Sequence, residues 1–327
     1  LLAIIGGAIL LRPIETERRV LPIDYVGLVL LVIWVGCLQV ILDIGRNHDW
    51  FGDPMIVVLA ITSAIAFLIF VVWELTEDHP VVDLRVLRHR GLSVSLVVLA
   101  ISFGAYFAGF VIVPQWQQAW LGFTATQAGY SSSFTAIAGL LTAPLVVMLM
   151  PRLDPRLLVS GGIVWLAVMA LLRTFWTTDS DFWTLSLPQF VQGLGMTFFM
   201  LPIINLTLNT VEEHEVASAA GLQSFMRTIA TAFATSVSLT YWGDTQRAAR
   251  NDIAGVLKPD AEGGAIAGLG FSPEAALQML GNMAEIEATT LAVLHVFWTT
   301  SAILLIAAAL IWLSPRPKRS GGMPIGH

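Results

Sequence analysis

The chain alternates between long apolar segments and short polar ones. Residues 25–42 are typical, because apolar side chains lie on every face of the helix that they would form. A soluble helix of this length would carry a polar stripe facing water, whereas a helix that crosses the roughly 30 Å hydrocarbon layer of a bilayer needs about 20 apolar residues. The pattern therefore predicts transmembrane helices.

The same pattern recurs along the sequence and predicts eight complete membrane spans. They cover residues 25–42, 55–72, 92–113, 128–150, 157–175, 190–208, 217–239 and 291–313. A further apolar run at residues 1–11 is too short to cross a bilayer, so we expect the sequence to begin inside a ninth helix. No charged segment precedes this run, which argues against a signal peptide.

The composition indicates lipid as the main solvent of the chain. Of its 327 residues, 56% are hydrophobic and 12% are charged, and the mean hydropathy is +0.76, whereas soluble domains carry roughly 25% charged residues. The single cysteine, Cys37, excludes a disulfide within the chain, and no cofactor or metal is expected.

Basic residues cluster in every second connection between the predicted spans. Arg12, Arg18, Arg19, Arg85, Arg88, Arg90, Arg152, Arg156, Arg316, Lys318 and Arg319 lie in these connections. The opposite connections are richer in Asp, although Arg46, Arg247, Arg250 and Lys258 also lie there. Positive charge is retained on the cytoplasmic side of membranes, so we assign the basic connections to the cytoplasm.

The segment at residues 241–290 is predicted to be the largest soluble part of the chain. It combines a glycine-rich stretch, "AEGGAIAGLG", with a helix that begins at a Ser–Pro pair and leads into the last span. It is either a docking element for a partner or a solvated lead-in helix with a flexible loop.

Motifs of enzymes are absent from the sequence. We find no G-x-S-x-G, H-E-x-x-H or G-x-x-x-x-G-K-[ST] pattern and no pair of cysteines. The acidic "EEHE" stretch, Glu212 to Glu215, precedes a predicted span, where carboxylates favour the positive end of the helix dipole. We interpret it as a helix start rather than as a metal site.

Ionisable residues are rare inside the predicted spans. Every carboxylate lies at a span end or in a connection, and only Arg227 and His295 are expected within the membrane. Arg227 lies about twelve residues into its helix, roughly 18 Å along the axis. We expect it to bind a carboxylate from elsewhere in the protein or nearby hydroxyl and carbonyl groups, with snorkelling to the headgroups as the alternative. For His295 we expect contact with a neighbouring helix rather than a role in proton transfer.

Aromatic and amide side chains are concentrated in two predicted spans and their flanks. Such a mixture suits a cavity for greasy, aromatic or cationic molecules, because apolar walls and π-faces combine with a few hydrogen-bonding groups. The alternative is that the aromatic rings face lipid and that the amides bind neighbouring helices. The candidate cavity residues are Tyr106, Phe107, Gln115, Gln118, Gln189, Gln192 and Phe198.

An ordered set of short motifs resembles the EmrB/QacA-type drug:proton antiporters, the fourteen-span branch of the major facilitator superfamily. The motifs are "LPIDYVGLVLL", "LD-x-G-x-x-x-DWF", "WELTEDHPVVDL", "GFTATQAG", "PQF-x-QG" and "SF-x-RTIA". The resemblance implies an all-α membrane protein of the bacterial inner membrane. It implies the following domains: residues 1–12 as the end of the sixth helix, 13–91 as a two-helix transmembrane linker, 92–313 as the C-terminal six-helix bundle and 314–327 as a basic cytoplasmic tail.

The resemblance also implies where substrate would bind. In this family the cavity lies between two six-helix halves, and this half would contribute residues 92–113, 128–150, 190–208 and 217–239. That placement favours Tyr106, Phe107, Gln115 and Gln192 as cavity residues. Asp154 and Arg156 in "MPRLDPRLLV" match the family's gating loop, although its usual leading glycine is missing.

The function implied by the resemblance is proton-driven efflux of hydrophobic or amphipathic drugs by alternating access, without enzymatic activity. The protons would be carried mainly by the half that precedes this sequence. A periplasmic adaptor and an outer-membrane channel are implied as partners in bacteria with two membranes. Two alternatives remain: export of one metabolite, such as a siderophore or a self-made antibiotic, and a membrane sensor or scaffold without transport.

The predicted orientation leads to a test by cysteine labelling in a Cys37→Ser background. A cysteine at Asp260 should react with an impermeant thiol reagent added outside the cell, and a cysteine at Arg88 should not, because basic connections stay in the cytoplasm. Labelling after membrane permeabilisation serves as the control for Arg88. The reverse pattern would overturn the orientation.

Overall fold

A computed structural model describes residues 24–78, 80–212, 215–256 and 272–315. Within these ranges the chain forms eight α-helices and no strand. They are α1 (Tyr25–Ile44), α2 (Pro54–Thr76), α3 (Arg90–Ala119), α4 (Ala125–Leu149), α5 (Pro155–Leu172), α6 (Phe182–Leu208), α7 (Val216–Val256) and α8 (Pro273–Leu310). The helix end predicted at residues 1–11 and the tail at 316–327 lie outside these ranges.

Each predicted complete span corresponds to one of the eight helices. Seven of them are long and apolar enough to cross a membrane. The exception is α7, whose polar residues, among them Gln223 and Arg227, lower its hydropathy. It still packs against α3 and α8, so it is part of the helical bundle that the sequence predicted.

Several helices are longer than the apolar runs that predicted them. Helices α3 and α6 continue past internal prolines, Pro114 and Pro188. Helices α7 and α8 contain 41 and 38 residues, so both flanks of the segment predicted as an outer loop are helical. Hydropathy misses these extensions because a helix in water needs no apolar surface on every face. The glycine-rich stretch of that segment lies outside the described residues.

Short polar side chains fix the starts of the helices. Asp24, Asp53, Thr124, Asp154 and Asp181 each accept a hydrogen bond from an N–H of the following first turn. These bonds satisfy backbone donors that have no partner within the helix. At the start of α2, the N–H of Met55 and the ring of His48 lower the pKa of the Asp53 carboxyl. The capping side chain just before each of these helices therefore fixes where the helix begins.

Helices α3 to α8 form a six-helix bundle. Helix α6 packs closely against α4 and α5, while α8 packs against α3, α5 and α7. Two clusters of buried side chains fill the bundle. One contains Leu96, Ile163, Phe199, Ile203 and Leu304, and the other, towards the opposite end, contains Trp116, Trp176, Leu185, Trp242 and Phe297.

Glycines set the separation between α6 and its neighbours. A Cβ atom at Gly193 would lie 2.3 Å from the carbonyl oxygen of Thr135 on α4, and one at Gly162 would lie 2.5 Å from the backbone nitrogen of Phe199. Burial gains little free energy where the alternative solvent is lipid, so close backbone contact supplies much of the packing energy. Small residues at these positions are therefore required by the fold.

The first two helices form a hairpin beside the bundle. Within it, the hydroxyl of Ser63 donates to the carbonyl oxygen of Trp34 at 2.9 Å. Trp34 also meets Phe225 of α7 edge to face, with ring centroids 5.7 Å apart, and the hydroxyl of Ser236 donates to the carbonyl oxygen of Leu42 at 2.6 Å. The hairpin is thus attached to the bundle through α7.

The contact at Gly193 leads to a prediction about stability. Gly193→Ala should lower the free energy of unfolding by about 1–3 kcal/mol, because the added methyl group forces α4 and α6 apart. The matched control is Gly161→Ala, where a Cβ would meet nothing within 4 Å. Denaturant unfolding of the purified protein measures both. Equal stability of the two variants would show that the helices tolerate a wider separation.

Candidate substrate-binding site

A cavity of about 450 Å³ lies between α3, α4 and α6. This volume falls within the range of small-molecule sites, roughly 300–1,000 Å³. Its lining is mostly apolar or small, with a few hydroxyl groups, and no charged residue belongs to it. Representative lining residues are Tyr106, Phe110, Ser132, Ser133, Thr135 and Met196.

One wall of the cavity is part of an aromatic stripe on α3. Phe103 and Phe107 are four residues apart, as are Tyr106 and Phe110, so these two pairs lie side by side on one helix face. Neighbouring centroids are 4.9 Å apart for Phe103 and Phe107 and 5.4 Å apart for Phe107 and Phe110. Tyr106 and Phe110 reach the cavity, while Phe107 lies between the other rings. Of the predicted cavity residues, Tyr106 is the one that lies on its wall.

The predicted glutamines occupy different environments. Gln189 is buried, and its amide nitrogen donates to the hydroxyl of Ser131 on α4 at 2.6 Å. Gln117 of α3, which the sequence reading did not select, donates to the same hydroxyl at 3.3 Å. Gln115 and Gln118 are exposed. Ser131 therefore joins three helices, a role that no local sequence signal reveals.

Gln192 binds a buried arginine that the sequence reading missed. Arg173 is 4% exposed, and its guanidinium donates to the side-chain oxygen of Gln192. The guanidinium also lies over the rings of Trp176 and Phe297, at 5.1 and 5.6 Å from their centroids. The expectation that Arg227 and His295 are the only ionisable residues within the spans is wrong, because Arg173 lies inside an apolar helical segment, Pro155–Phe175.

Arg173 has no carboxylate partner within 4 Å among the described residues. Its charge is balanced instead by the Gln192 oxygen and the negative faces of two aromatic rings. The signal that could have found it is the run "LLRTFW", in which an arginine interrupts apolar residues on the predicted outer side.

The two ionisable residues that were predicted within the spans differ in their surroundings. The Arg227 guanidinium lies 5.6 Å from the centroid of Phe103, at one end of the aromatic stripe. It forms no ion pair with a described residue, and the Thr231 hydroxyl donates to its backbone carbonyl oxygen. His295 is exposed on α8 among the described residues, and its contact with a neighbouring helix stays a prediction.

The remaining predicted residues lie at the packing surfaces of α5 and α6. Phe198 is half-buried beside Gly162. Asp154 caps α5 and pairs with Arg156 at 3.0 Å. Arg156 is buried and donates to the carbonyl oxygen of Ser314 at 2.9 Å, beyond the end of α8. The predicted gating pair thus ties the start of α5 to the end of α8.

The model of the Major Facilitator Superfamily matches residues 4–235 of the chain. Multidrug export protein EmrB of Escherichia coli strain K12 is 31% identical over 317 residues, which cover 95% of this chain and 62% of that protein. The protein of the same name from Haemophilus influenzae is 37% identical over 70% of this chain and 45% of its own length.

A third relative carries a different name. Fatty acid resistance protein FarB of Neisseria gonorrhoeae is 29% identical over 94% of this chain and 62% of its own length. The chain therefore spans about three fifths of the length of the two curated relatives that it matches almost from end to end.

The pairing of Arg173 with Gln192 predicts energetic coupling between the two positions. Gln192→Leu leaves a buried charge without its acceptor, and Arg173→Met leaves a buried oxygen without its donor, so each variant should be clearly less stable than the wild type. The double variant should cost less than the sum of the two by about 0.5–3 kcal/mol. Denaturant unfolding of all four proteins measures the coupling. Additive losses would mean that the aromatic rings alone hold Arg173.

Proposed function

The chain belongs to the Major Facilitator Superfamily, and we propose that the protein containing it exports hydrophobic or amphipathic drug-like compounds. It is a multi-pass protein of the bacterial inner membrane, as its apolar helices and its relatives indicate. The observation that carries the proposal is the cavity between α3, α4 and α6. Its walls combine aromatic rings with a few hydroxyl groups.

This lining favours many substrates over one. Apolar walls bind by contact area and shape, and hydroxyl groups adapt their hydrogen bonds by rotation. No fixed charge or amide among the lining residues demands a particular partner on the substrate. A cavity with these properties discriminates weakly between compounds of similar size and hydrophobicity, since strong discrimination needs buried polar groups that a wrong substrate leaves unpaired.

Transport would proceed by alternating access, as the resemblance to drug:proton antiporters implies. Helix α7 exposes Gly221, Ser224 and Thr228 on one face, which suits a helix that lines a polar path rather than lipid. Arg227 lies on the same helix, with no ion pair among the described residues. We propose that in the full-length protein Arg227 pairs with a carboxylate of another segment and that proton entry drives export.

The names of relatives suggest partners and substrates without fixing them. EmrB of Escherichia coli is named as a multidrug export protein and FarB as a fatty acid resistance protein. We propose drug-like amphiphiles as the substrates of this protein, and a periplasmic adaptor with an outer-membrane channel as its partners in a bacterium with two membranes.

The test is expression of the full-length protein in a host whose own drug pumps are deleted. We expect raised resistance to several chemically unrelated hydrophobic compounds, and dye efflux that stops when an uncoupler dissipates the proton gradient. Protection against a single compound would contradict this proposal and indicate an exporter dedicated to that compound. Normal expression without any protection or efflux would indicate a sensor or scaffold.

Variants of Arg227 extend the test to the translocation path. Arg227→Lys keeps the charge but loses the planar guanidinium that stacks on Phe103, so it should insert normally and export poorly, and Arg227→Ala should be worse. The matched control is Arg247→Lys, at an exposed position near the other end of the same helix, which should confer full resistance. If both Arg227 variants also confer full resistance at normal expression, Arg227 has no part in transport.

A further inference from the structure

Two carboxyl groups lie close together where the linker hairpin, formed by α1 and α2, begins and ends. This place is away from the cavity. Asp24 precedes the first turn of α1, and Glu74 lies in the last turn of α2. Glu74 is fully buried. Neither residue lines the cavity or contacts the aromatic stripe, so the proposed export function does not account for them.

Both carboxylate oxygens of Asp24 accept hydrogen bonds. The N–H of Gly27 donates to its Oδ1 at 2.8 Å. The indole Nε1 of Trp73, next to Glu74, lies 3.1 and 3.0 Å from its two oxygens. Asp24 is therefore the hydrogen-bond acceptor of the pair.

One carboxyl oxygen of Glu74 accepts a hydrogen bond, and the other has no hydrogen-bond partner. Its Oε2 accepts a hydrogen bond from the backbone N–H of Val82 at 3.0 Å. Its Oε1 is buried without any hydrogen-bond partner. A buried carboxylate oxygen without a partner carries a large desolvation penalty, because ionised groups are strongly stabilised by water.

The unpartnered oxygen faces Asp24 across Gly27. A Cβ atom at Gly27 would lie 2.2 Å from Asp24 Oδ2 and 2.7 Å from Glu74 Oε1. The two carboxylate oxygens are therefore no more than about 5 Å apart, a distance at which a like charge strongly disfavours ionisation. A Cβ atom at this position would displace both carboxylate groups from their places.

In the described part of the chain, no positive charge near Glu74 offsets the negative charge that it would carry when ionised. The carboxyl groups of Asp24, Glu77 and Asp83 all disfavour ionisation of Glu74. Arg85, the nearby cation of the same segment, donates its Nη2 to the backbone carbonyl oxygens of Leu75 and Glu77 rather than to the Glu74 side chain. Among the described residues, Glu74 forms no ion pair.

We propose that Glu74 binds a proton in the folded protein and donates it in a hydrogen bond from Oε1 to Oδ2 of Asp24. The pair is a proton-binding site that holds the start of α1 against the end of α2. The proton comes from a hydronium ion, whose O–H bond breaks as an O–H bond forms at Oε1 of Glu74. Loss of the proton leaves two like charges on oxygens that are no more than about 5 Å apart. The site goes beyond the proposed transport path, because it lies on the linker hairpin.

The site also bears on how the hairpin joins the bundle. The N–H of Val82 holds the connection between α2 and α3 against Glu74. Further along that connection, Arg88 and His89 each lie 2.8 Å from a carboxylate oxygen of Glu215, immediately before α7. Loss of the proton would therefore act on a connection that is itself fastened to the bundle.

Infrared spectroscopy of the full-length protein tests the proposal directly. A protonated carboxylic acid has a C=O band that is distinct from the bands of carboxylates and shifts in D₂O. We expect such a band at neutral pH in the wild type, and its loss in Glu74→Gln, which keeps the shape and neutrality of the protonated group. The matched control, Asp78→Asn at an exposed position of the same segment, should keep the band.

Stability as a function of pH gives an independent readout. The folded protein would hold a proton that the unfolded chain releases, so the wild type should lose stability as the pH rises, and Glu74→Gln should lose less. Asp24→Asn should shift the infrared band, because the proton then has a neutral acceptor. An unchanged band in Glu74→Gln, or a wild-type melting temperature that depends on added Na⁺ or Mg²⁺ instead of pH, would overturn the proton site.

Discussion

The hydrocarbon of the membrane offers no hydrogen bonds, and this constraint governs how the helices pack. Backbone groups within the spans must be paired inside the protein, and a buried polar side chain is costly unless it finds a partner there. Ser131 meets this need for Gln117 and Gln189 at once, and Gln192 meets it for Arg173. Because each partner lies on a different helix, the same bonds that remove the penalty also fix which helices are neighbours.

The cavity is apolar for the same reason. The amides of Gln189 and Gln192 are engaged between helices, so the surface left to the cavity consists of aromatic rings, small residues and hydroxyl groups. These two amides are thus used in packing between helices rather than in lining the cavity.

Helix α7 contacts both the aromatic stripe and the hairpin of α1 and α2. It carries Arg227 beside the stripe, and it anchors the hairpin through contacts of Phe225, Ser236 and Leu239. A displacement of α7 would therefore move the hairpin as well. Glu215 adds a second attachment, because it binds the connection between α2 and α3. Burial raises the pKa of its carboxyl group, but the Glu212 N–H, His89 and Arg88 lower that pKa by more, so that it lies below its usual value.

The class of protein and the number of its helices could be predicted from the sequence. Eight apolar runs predicted eight helices, a Ser–Pro pair marked the start of α8, and an ordered set of motifs indicated the superfamily. Which polar groups meet became clear from the fold. There the buried Arg173 binds Gln192, Ser131 joins three helices, and Glu74 lies near Asp24. The physical reason is that hydropathy depends on residues close in sequence, whereas a hydrogen bond between helices depends on residues that the fold alone brings together.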